Sequence, residues 1–372
     1  MSQITYDPAY DTVAPDDFAS LIQVPRYGRR TDAFDKIIAA THDHFWDPLD
    51  KAYIDFSLPF DLKNEPLVPF EMVGELRSAV ADKLDEGQKI AMVNANVHWS
   101  LSSILHGEQG ALSLSASLCH ILVDPGAQEY AANQAREEAR HVTAFNEYIT
   151  ARWGAPLPCG PTLANLLGEL VAAHEVYKKL IGMQMLVEGL AMGAFATFHA
   201  KARDPLLVRL TQLVMTDEAF HHRFGRIWAA KTMPNLTEEE HNRVEDWAAQ
   251  VFQVLLFNLI NAEQKKGIYA RFGLDWEWVR DCMREAFTDT IRRQQMTEAT
   301  NIFRVLIKTM LHAGIITERT KPLYAVWVDM DELKSEGEEM VGDPIADAGI
   351  AYLKDINSKR RRTNKLSVAA AE

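Results

Sequence analysis

Apolar side chains recur at spacings of three and four residues along most of this chain, whereas alternation with a period of two is almost absent. The first pattern places apolar residues on one face of an α-helix, and the second would indicate a β-strand. The sequence therefore predicts an all-α fold with negligible strand content.

The longest predicted helices lie in the middle of the chain. Breaks containing Pro, Gly or Asp divide this region at 124–126, 153–161 and 204–205, and such residues interrupt helices. Four long helices that form two antiparallel hairpins have the order that a ferritin-like four-helix bundle needs. Their predicted bounds are 88–123, 127–152, 162–202 and 206–233.

Shorter helices are predicted on both sides of this core, after a proline-containing arm at 1–34. The chain after Gly314 is predicted to be charged and irregular. The predicted accessory helices are 32–50, 71–85, 237–266, 275–293 and 297–313. We predict one structural domain in three parts: an N-terminal arm with accessory helices at 1–87, the bundle core at 88–235, and C-terminal accessory helices with a basic tail at 236–372.

Composition narrows the possible classes of function. The 372 residues are 47% hydrophobic and carry a formal charge of −13, which argues against binding to nucleic acid or to an anionic membrane. Three cysteines are too few for a disulfide framework or an iron–sulfur cluster, and the polar, acidic N-terminus does not resemble a signal peptide. We therefore expect a cytoplasmic protein. The apolar run 182–198 has Glu188 near its centre and is short for a membrane span.

Two Glu-x-x-His pairs carry the candidate chemistry. Residues three apart share one face of a helix, so each pair directs a carboxylate and an imidazole at one point. Another glutamate lies 30 residues before each pair, and the whole set recurs after 80 residues. Four such helices can hold a dinuclear metal site. The predicted ligands are Glu108, Glu138 and His141 in the first set, and Glu188, Glu218 and His221 in the second.

Four carboxylates and two imidazoles suit two iron or manganese ions, since zinc sites rarely collect so many carboxylates. Four glutamates also balance the charge of two divalent cations. A metal-bound imidazole usually donates its other N–H group to a carboxylate or carbonyl. Glu137 and Asp217 are the candidates for that role, each lying one turn from a predicted ligand histidine. The alternative is a solvated helix face, on which Arg140 would pair with one of these acids.

Apolar residues on the ligand-bearing faces are predicted to line a pocket, although each could equally be ordinary core. Whether His222, which follows a predicted ligand directly, is also a ligand stays open at this point. The predicted pocket residues are Leu112, Phe145, Met192, Phe195 and Val214.

The motifs 137–141 (Glu-Glu-Ala-Arg-His) and 217–221 (Asp-Glu-Ala-Phe-His) resemble the Asp-Glu-x-Arg-His signatures of bacterial multicomponent monooxygenase hydroxylases, within the ferritin-like diiron-carboxylate superfamily. The segment 107–111 is similar to the one that bears the first glutamate in those enzymes. The resemblance covers about residues 90–235. It implies activation of O2 at two irons, electrons from a separate reductase or ferredoxin, and hydroxylation of a small apolar or aromatic substrate.

The chain also departs from these patterns. Phe220 stands where the second motif has arginine, and Met192 stands where the monooxygenases have threonine. Ribonucleotide reductase radical subunits share the ligand pattern, but Phe145 occupies the position of their tyrosine. The alternatives are therefore an N-oxygenase, a desaturase, a radical-generating subunit, or a non-catalytic metal-storage or regulatory protein. A homodimer through the outer helices is expected.

Overall fold

The computed structural model describes residues 5–296, 302–337 and 339–369. In these ranges the regular elements are helices, and the only β-type pairings are isolated bridges joining Thr12 to Asp7 and to Leu122. The prediction of an all-α fold is confirmed. The α-helices are Phe18–Leu21, Val24–Tyr27, Asp35–Thr41, Glu86–Leu118, Pro125–Trp153, Pro161–Ala172, Val176–Lys179, Glu188–Lys201, Pro205–Thr232, Glu238–Ile260, Lys266–Ala270, Trp276–Ala286, Asp289–Met296, Ile302–His312, Lys321–Tyr324, Met330–Ser335 and Asp343–Ala369. The 3-10 helices are Asp32–Phe34, Phe70–Met72, Gly74–Arg77, Ala79–Lys83, Met233–Asn235 and Ala262–Lys265, and Leu180–Val187 is a π-helix.

Four helices carry the predicted ligands, and each is named here after its glutamate. The Glu108 helix is Glu86–Leu118, the Glu138 helix is Pro125–Trp153, the Glu188 helix is Glu188–Lys201, and the Glu218 helix is Pro205–Thr232. The Glu108 helix packs along the Glu138 helix, and the Glu188 helix packs along the Glu218 helix. The Glu138 and Glu218 helices also contact each other. The finer assignment to a ferritin-like bundle stays a prediction.

The Glu138 and Glu218 helices begin in the same way. The carboxylates of Asp124 and Asp204 accept hydrogen bonds from the amide groups two residues later, and a proline occupies the first helical position in each. An aspartate cap followed by proline is a strong helix start. Each cap lies 14 residues before its ligand glutamate (138 − 124 and 218 − 204). The two Glu-x-x-His motifs therefore lie at the same height above the start of their helices.

The predicted helix 162–202 is wrong as one continuous element. The chain leaves the helix at Ala173, where ψ is 134°, resumes at Val176, and then forms the π-helix Leu180–Val187 directly before the Glu188 helix. A π-turn inserts one extra residue into a helix. Every residue of the π-helix is buried, so no exposed face marks the irregular turn in the sequence.

Two further predictions are corrected. Residues 71–85 contain short 3-10 turns instead of one helix, because Val73 and Ser78 adopt extended backbone angles between them. The chain after Gly314 is not irregular: Asp343–Ala369 is a long helix that packs against the Glu218 helix. Its buried residues Ala346 and Leu353 lie seven apart, a helical spacing that many surrounding charges obscure.

The remaining accessory helices are shorter than predicted. The helix predicted at 32–50 ends at Thr41, and the one at 237–266 ends at Ile260. The segment 275–293 is divided into Trp276–Ala286 and Asp289–Met296. The helix predicted at 297–313 is observed as Ile302–His312, and its first residues lie outside the described part. The division of the chain at 87 and 235 stays a prediction.

One apolar stretch, Val176–Lys201, is long enough and apolar enough to span a membrane, but 78% of its apolar window is buried inside the protein. A core helix of a soluble protein has this pattern. The stretch contains the π-helix and the Glu188 helix, so it lies in the centre of the fold.

Two apolar clusters fill the interior around the ligand positions. One contains Leu114 and Tyr130 together with most of the π-helix. The other contains Leu105, Phe145 and neighbouring residues of the Glu188 and Glu218 helices. Glu108 lies between Leu105 and Leu114 on its helix, and the other ligand positions likewise fall between the clusters. The candidate site is therefore a polar layer between two apolar regions.

Gly225 allows the Glu218 helix to approach the π-helix. A β-carbon at this position would lie 2.9 Å from the Cβ atom of Gln184, which is fixed to the backbone and cannot rotate away. We predict that Gly225→Ala lowers the free energy of unfolding by about 1–3 kcal/mol through overpacking, measured by urea denaturation. Gly168→Ala is the control, because an added methyl group there meets no heavy atom within 4 Å. Gly168→Ala should stabilise the protein by up to about 1 kcal/mol, and equal effects of both substitutions would contradict the prediction.

Candidate metal centre

The structure brings all six predicted ligand residues together in the interior. They form two groups of four, and within each group the potential ligand atoms lie within 4.8 Å of one another. All six residues are buried, with relative exposures of 4% or less. One group is Glu108, Glu138, His141 and Glu218, and the other is Glu138, Glu188, Glu218 and His221. Two glutamates, Glu138 and Glu218, thus belong to both groups.

The two shared glutamates face both histidines. Glu138 places Oε1 3.0 Å from Nδ1 of His221 and Oε2 3.4 Å from Nδ1 of His141. Glu218 places Oε1 3.2 Å from Nδ1 of His141 and Oε2 3.2 Å from Nδ1 of His221. Each carboxylate therefore presents one oxygen to each half of the site. Such carboxylates can bridge two metal ions.

Glu108 belongs to one half only. Its Oε2 atom lies 3.2 Å from Nδ1 of His141, and Glu188 occupies the corresponding position in the group that contains His221. Each half of the site therefore offers one imidazole nitrogen, one unshared carboxylate and the two shared carboxylates.

Two buried oxygens at the centre have no hydrogen-bond partner among the described residues. They are Oε2 of Glu138 and Oε1 of Glu218, and both lie near Nδ1 of His141. Leaving a buried carboxylate oxygen unpaired is costly. A bound cation would satisfy these oxygens, so the donor set fits a pair of metal ions.

Glu137 and Asp217 contact the far nitrogens of the two histidines, but across the helix pair. Nε2 of His141 lies 2.8 Å from Oδ2 of Asp217, and Nε2 of His221 lies 3.0 Å from Oε2 of Glu137. Each acid thus serves the histidine of the other helix rather than that of its own. These contacts direct both Nδ1 atoms toward the centre. Both acids are buried, so the alternative of a solvated helix face is wrong.

A cation and two aromatic residues surround these two acids. Arg140 donates from Nε to Oδ2 of Asp217 at 3.0 Å and lies 3.5 Å from Glu137. The indole N–H of Trp46 donates to Asp217 at 2.9 Å, and Nε2 of His44 lies 3.3 Å from Oδ1 of the same residue. The sequence analysis missed Trp46 and His44. Both lie in a loop after Thr41, where no helical spacing could indicate them.

Gln134 and Gln184, also missed, lie on the His221 side of the site. Gln134 donates from Nε2 to Glu138 at 3.0 Å and to Glu188 at 3.4 Å, and the two glutamine amides also hydrogen bond to each other. Both side chains are fully buried. Each lies four residues before a ligand glutamate. That spacing places them on the ligand face and was an available signal.

The electrostatics of the cluster reflect burial and mutual interaction. Burial and the neighbouring carboxylate of Glu218 raise the pKa of Glu108 well above its ordinary value, and burial together with Glu218 does the same for Glu188. Burial alone would lower the pKa of His141, but the surrounding carboxylates outweigh it and raise that pKa. The pKa of His221 is raised in the same way. Without metal, these four groups therefore keep their protons to a higher pH than free glutamate or histidine.

His222 faces away from the centre. Its Nε2 atom lies 2.9 Å from the hydroxyl of Thr309 on an outer helix, and it belongs to neither group of potential ligands. Burial and the nearby charges of Arg226 and Arg223 lower its pKa to about 3. It is thus a buried neutral histidine that packs against the outer helix.

A cavity of about 330 Å³ reaches the centre between the Glu108 and Glu188 helices. Glu108 and Glu188 both line it, and no shared glutamate does. Most of the remaining lining is apolar, including Ile104, Leu190 and Ala191. The cavity therefore meets the site at the two unshared carboxylates.

The predicted pocket residues do not line this cavity. Four of them are fully buried in one apolar cluster, and Leu112 is only partly buried. The prediction used offsets from several ligands together, whereas the cavity follows offsets of three and four from Glu108 and Glu188 only. The four buried residues are Phe145, Met192, Phe195 and Val214.

No protein-family model and no curated protein matches this chain. The resemblance to diiron proteins therefore rests on the quoted motifs, and the chemistry of the site has to be argued from its own residues.

Metal loading should release protons, since Glu108, Glu188 and both Nδ1 atoms must be deprotonated to bind a cation. Because the pKa values of these groups are raised, the metal affinity should fall as the pH falls and increase as the pH rises through the raised values. Calorimetric titration with Fe(II) in buffers of different ionisation enthalpy measures the number of protons. Glu108→Gln should release fewer protons than the parent protein. A count near zero at both pH 6 and pH 8 would contradict the assignment.

Proposed function

We propose that the four ligand helices form a ferritin-like bundle around a dinuclear iron site, and that the protein is an O2-dependent diiron oxygenase of the hydroxylase type. The observation that carries this proposal is the position of Glu138 and Glu218, each with one oxygen toward each histidine. The unshared ligands are Glu108 with His141 and Glu188 with His221.

The donor set favours iron, with manganese as the alternative. Four carboxylates and two imidazole nitrogens are mainly hard ligands, and four glutamates neutralise two divalent cations. Buried charge is tolerated when it is paired in this way. When bound, the two irons would supply the redox capacity and the open positions needed to activate O2.

The surrounding residues would prepare this site for oxidation. Asp217 and Glu137 accept the Nε2–H groups of the histidines and hold the imidazole rings in place. The apolar clusters above and below exclude water from the polar layer. The cavity gives a small, mostly apolar molecule a path to the unshared carboxylates. Together these features support a hydroxylase, and an N-oxygenase or desaturase would use the same scaffold.

Electrons would come from a partner protein. The three cysteines of the chain, Cys119, Cys159 and Cys282, are too few for a four-cysteine cluster. We therefore propose a separate reductase or ferredoxin, in addition to the small-molecule substrate and O2. A cytoplasmic location, a homodimer, and the absence of nucleic-acid or membrane partners complete the proposal on grounds of composition.

A radical-generating subunit is the second candidate, and Tyr130 is the observation that favours it. Its hydroxyl group is buried and has no hydrogen-bond partner among the described residues. Burial raises its pKa well above 10, and the charges of His221 and Glu137 act on it. Phe145 lies at the position where the radical subunits carry their tyrosine and packs against Phe195 with ring centroids 5.6 Å apart.

Iron analysis tests the ligand assignment. The parent protein should bind two irons per chain and consume O2 after anaerobic reduction. Glu138→Ala should lose most of the metal, because it removes a carboxylate that serves both halves of the site. Glu147→Ala on the same helix is the matched control and should retain both irons. Retention of both ions by Glu138→Ala would refute the ligand set, and bound iron without O2 consumption would refute the oxygenase.

Electron paramagnetic resonance separates the two candidates. For an oxygenase, exposure of the reduced iron-loaded protein to O2 should leave no stable organic radical. A stable tyrosyl signal that disappears in Tyr130→Phe would favour the radical subunit instead. Tyr148→Phe is the control, since Tyr148 is equally buried but donates its hydroxyl to Asp204 at 2.8 Å.

A further inference from the structure

The cavity has a second polar end, away from the candidate metal centre. Glu75, Asn96 and Lys265 line it together with Glu108 and Glu188. Asn96 and Glu108 are 12 residues apart on one helix (108 − 96), which corresponds to about 18 Å along the axis at 1.5 Å per residue. The cavity is therefore elongated, with polar groups at both ends.

The distant end is a built hydrogen-bonding site. Nζ of Lys265 donates to Oδ1 of Asn96 at 2.7 Å and to Oε1 of Glu75 at 3.3 Å. The hydroxyl of Tyr269 donates to the same Glu75 oxygen at 2.6 Å. Glu75 is 1% exposed, and the side chain of Lys265 is 16% exposed. The ring of Trp99 forms a wall 5.1 Å from the ammonium group.

The charges and donors at this end limit what can bind. Glu75 and Lys265 neutralise each other, so a third full charge would be left without compensation in a buried place. An ammonium group has three N–H donors, and Lys265 donates two of them to described residues. The third can serve an oxygen acceptor of a bound molecule. An uncharged oxygen group satisfies both conditions.

We propose that this cavity binds an elongated, mostly apolar molecule with an uncharged oxygen acceptor at one end. A hydroxyl, carbonyl or amide oxygen accepts a hydrogen bond from Lys265, and the apolar end extends past Ile104 and Ala191 toward Glu108 and Glu188. The identification of this molecule as the substrate rests on the proposed function. The binding itself does not.

Three probes with the same chain test the head group: octan-1-ol, octanoate and octylammonium. Binding to the full-length metal-free protein is measured by calorimetry. Octan-1-ol should bind at least about tenfold more tightly than either ion, the scale of one hydrogen bond to a charged group. Tighter binding of octanoate or octylammonium, or no binding of any probe, would overturn the proposal.

A double variant tests the role of the polar end. Glu75→Gln with Lys265→Met removes both charges and leaves an amide oxygen to accept from Tyr269. It should abolish the preference for octan-1-ol. Lys179→Met is the control, because Lys179 is a buried lysine outside the cavity that donates to Ser117. A preference that survives in the double variant would place the head group elsewhere and refute the proposal.

Gly107 permits a test that keeps the charged residues. It lines the cavity, and an added β-carbon would meet no heavy atom within 4 Å. Gly107→Leu should weaken binding of octan-1-ol at least about tenfold by filling the space, whereas Gly168→Leu at an exposed helical position should not. Equal affinities of both variants would refute the cavity as the binding place.

Metal-free protein separates this inference from the proposed function. If the protein fails to bind iron but binds octan-1-ol as described, the cavity site stands and the oxygenase proposal falls. If iron binds and O2 is consumed but octan-1-ol binds no better than the ions, only the present inference is wrong.

Discussion

Four glutamate side chains lie together in the interior of this protein, and the repulsion between them is the constraint on which the rest of the structure depends. Isolated buried carboxylates are very costly. Burial and the charge of Glu218 raise the pKa of Glu108 and of Glu188, whereas the imidazoles of His221 and His141 outweigh burial and lower the pKa of Glu138. The protein alone can therefore reduce the repulsion only by retaining protons. A pair of divalent cations would remove it without them, which is why we interpret the cluster as a metal site.

The chain builds this cluster by using one arrangement twice. Each aspartate–proline start fixes the height of a Glu-x-x-His motif, so the two motifs face each other when the Glu138 and Glu218 helices pack together. The repetition is not complete around the site. Arg140 contacts both outer acids, whereas the equivalent residue 80 positions later is Phe220, which stacks on His44 with ring centroids 4.9 Å apart. One guanidinium group thus serves two carboxylates, and its loss would leave both without a full positive charge beside them.

Helical spacing was sufficient to predict the six converging residues, because each lies on a regular helix and its partner repeats at a fixed distance. It was not sufficient where regular spacing fails. The π-helix before Glu188 is buried on all sides, so its sequence carries no phase from which an extra residue could be detected. Trp46 and His44 reach the site from a loop, and only the tertiary fold brings them to Asp217. The long helix at the C-terminal end was missed because its few buried residues stand among many charged ones.

The distribution of polar groups separates two sides of the centre. Glu137, Asp217 and Arg140 are packed on one side under the loop that carries Trp46, and they form a closed set of charge-assisted contacts. The unshared carboxylates Glu108 and Glu188 face the opposite side, where the cavity is mostly apolar. Residues that fix the histidines are thus kept apart from the space that a reactant can enter. A molecule in the cavity can approach the centre without disturbing the contacts that hold the imidazole rings, and an oxidising site that must stay ordered while molecules enter and leave requires this separation.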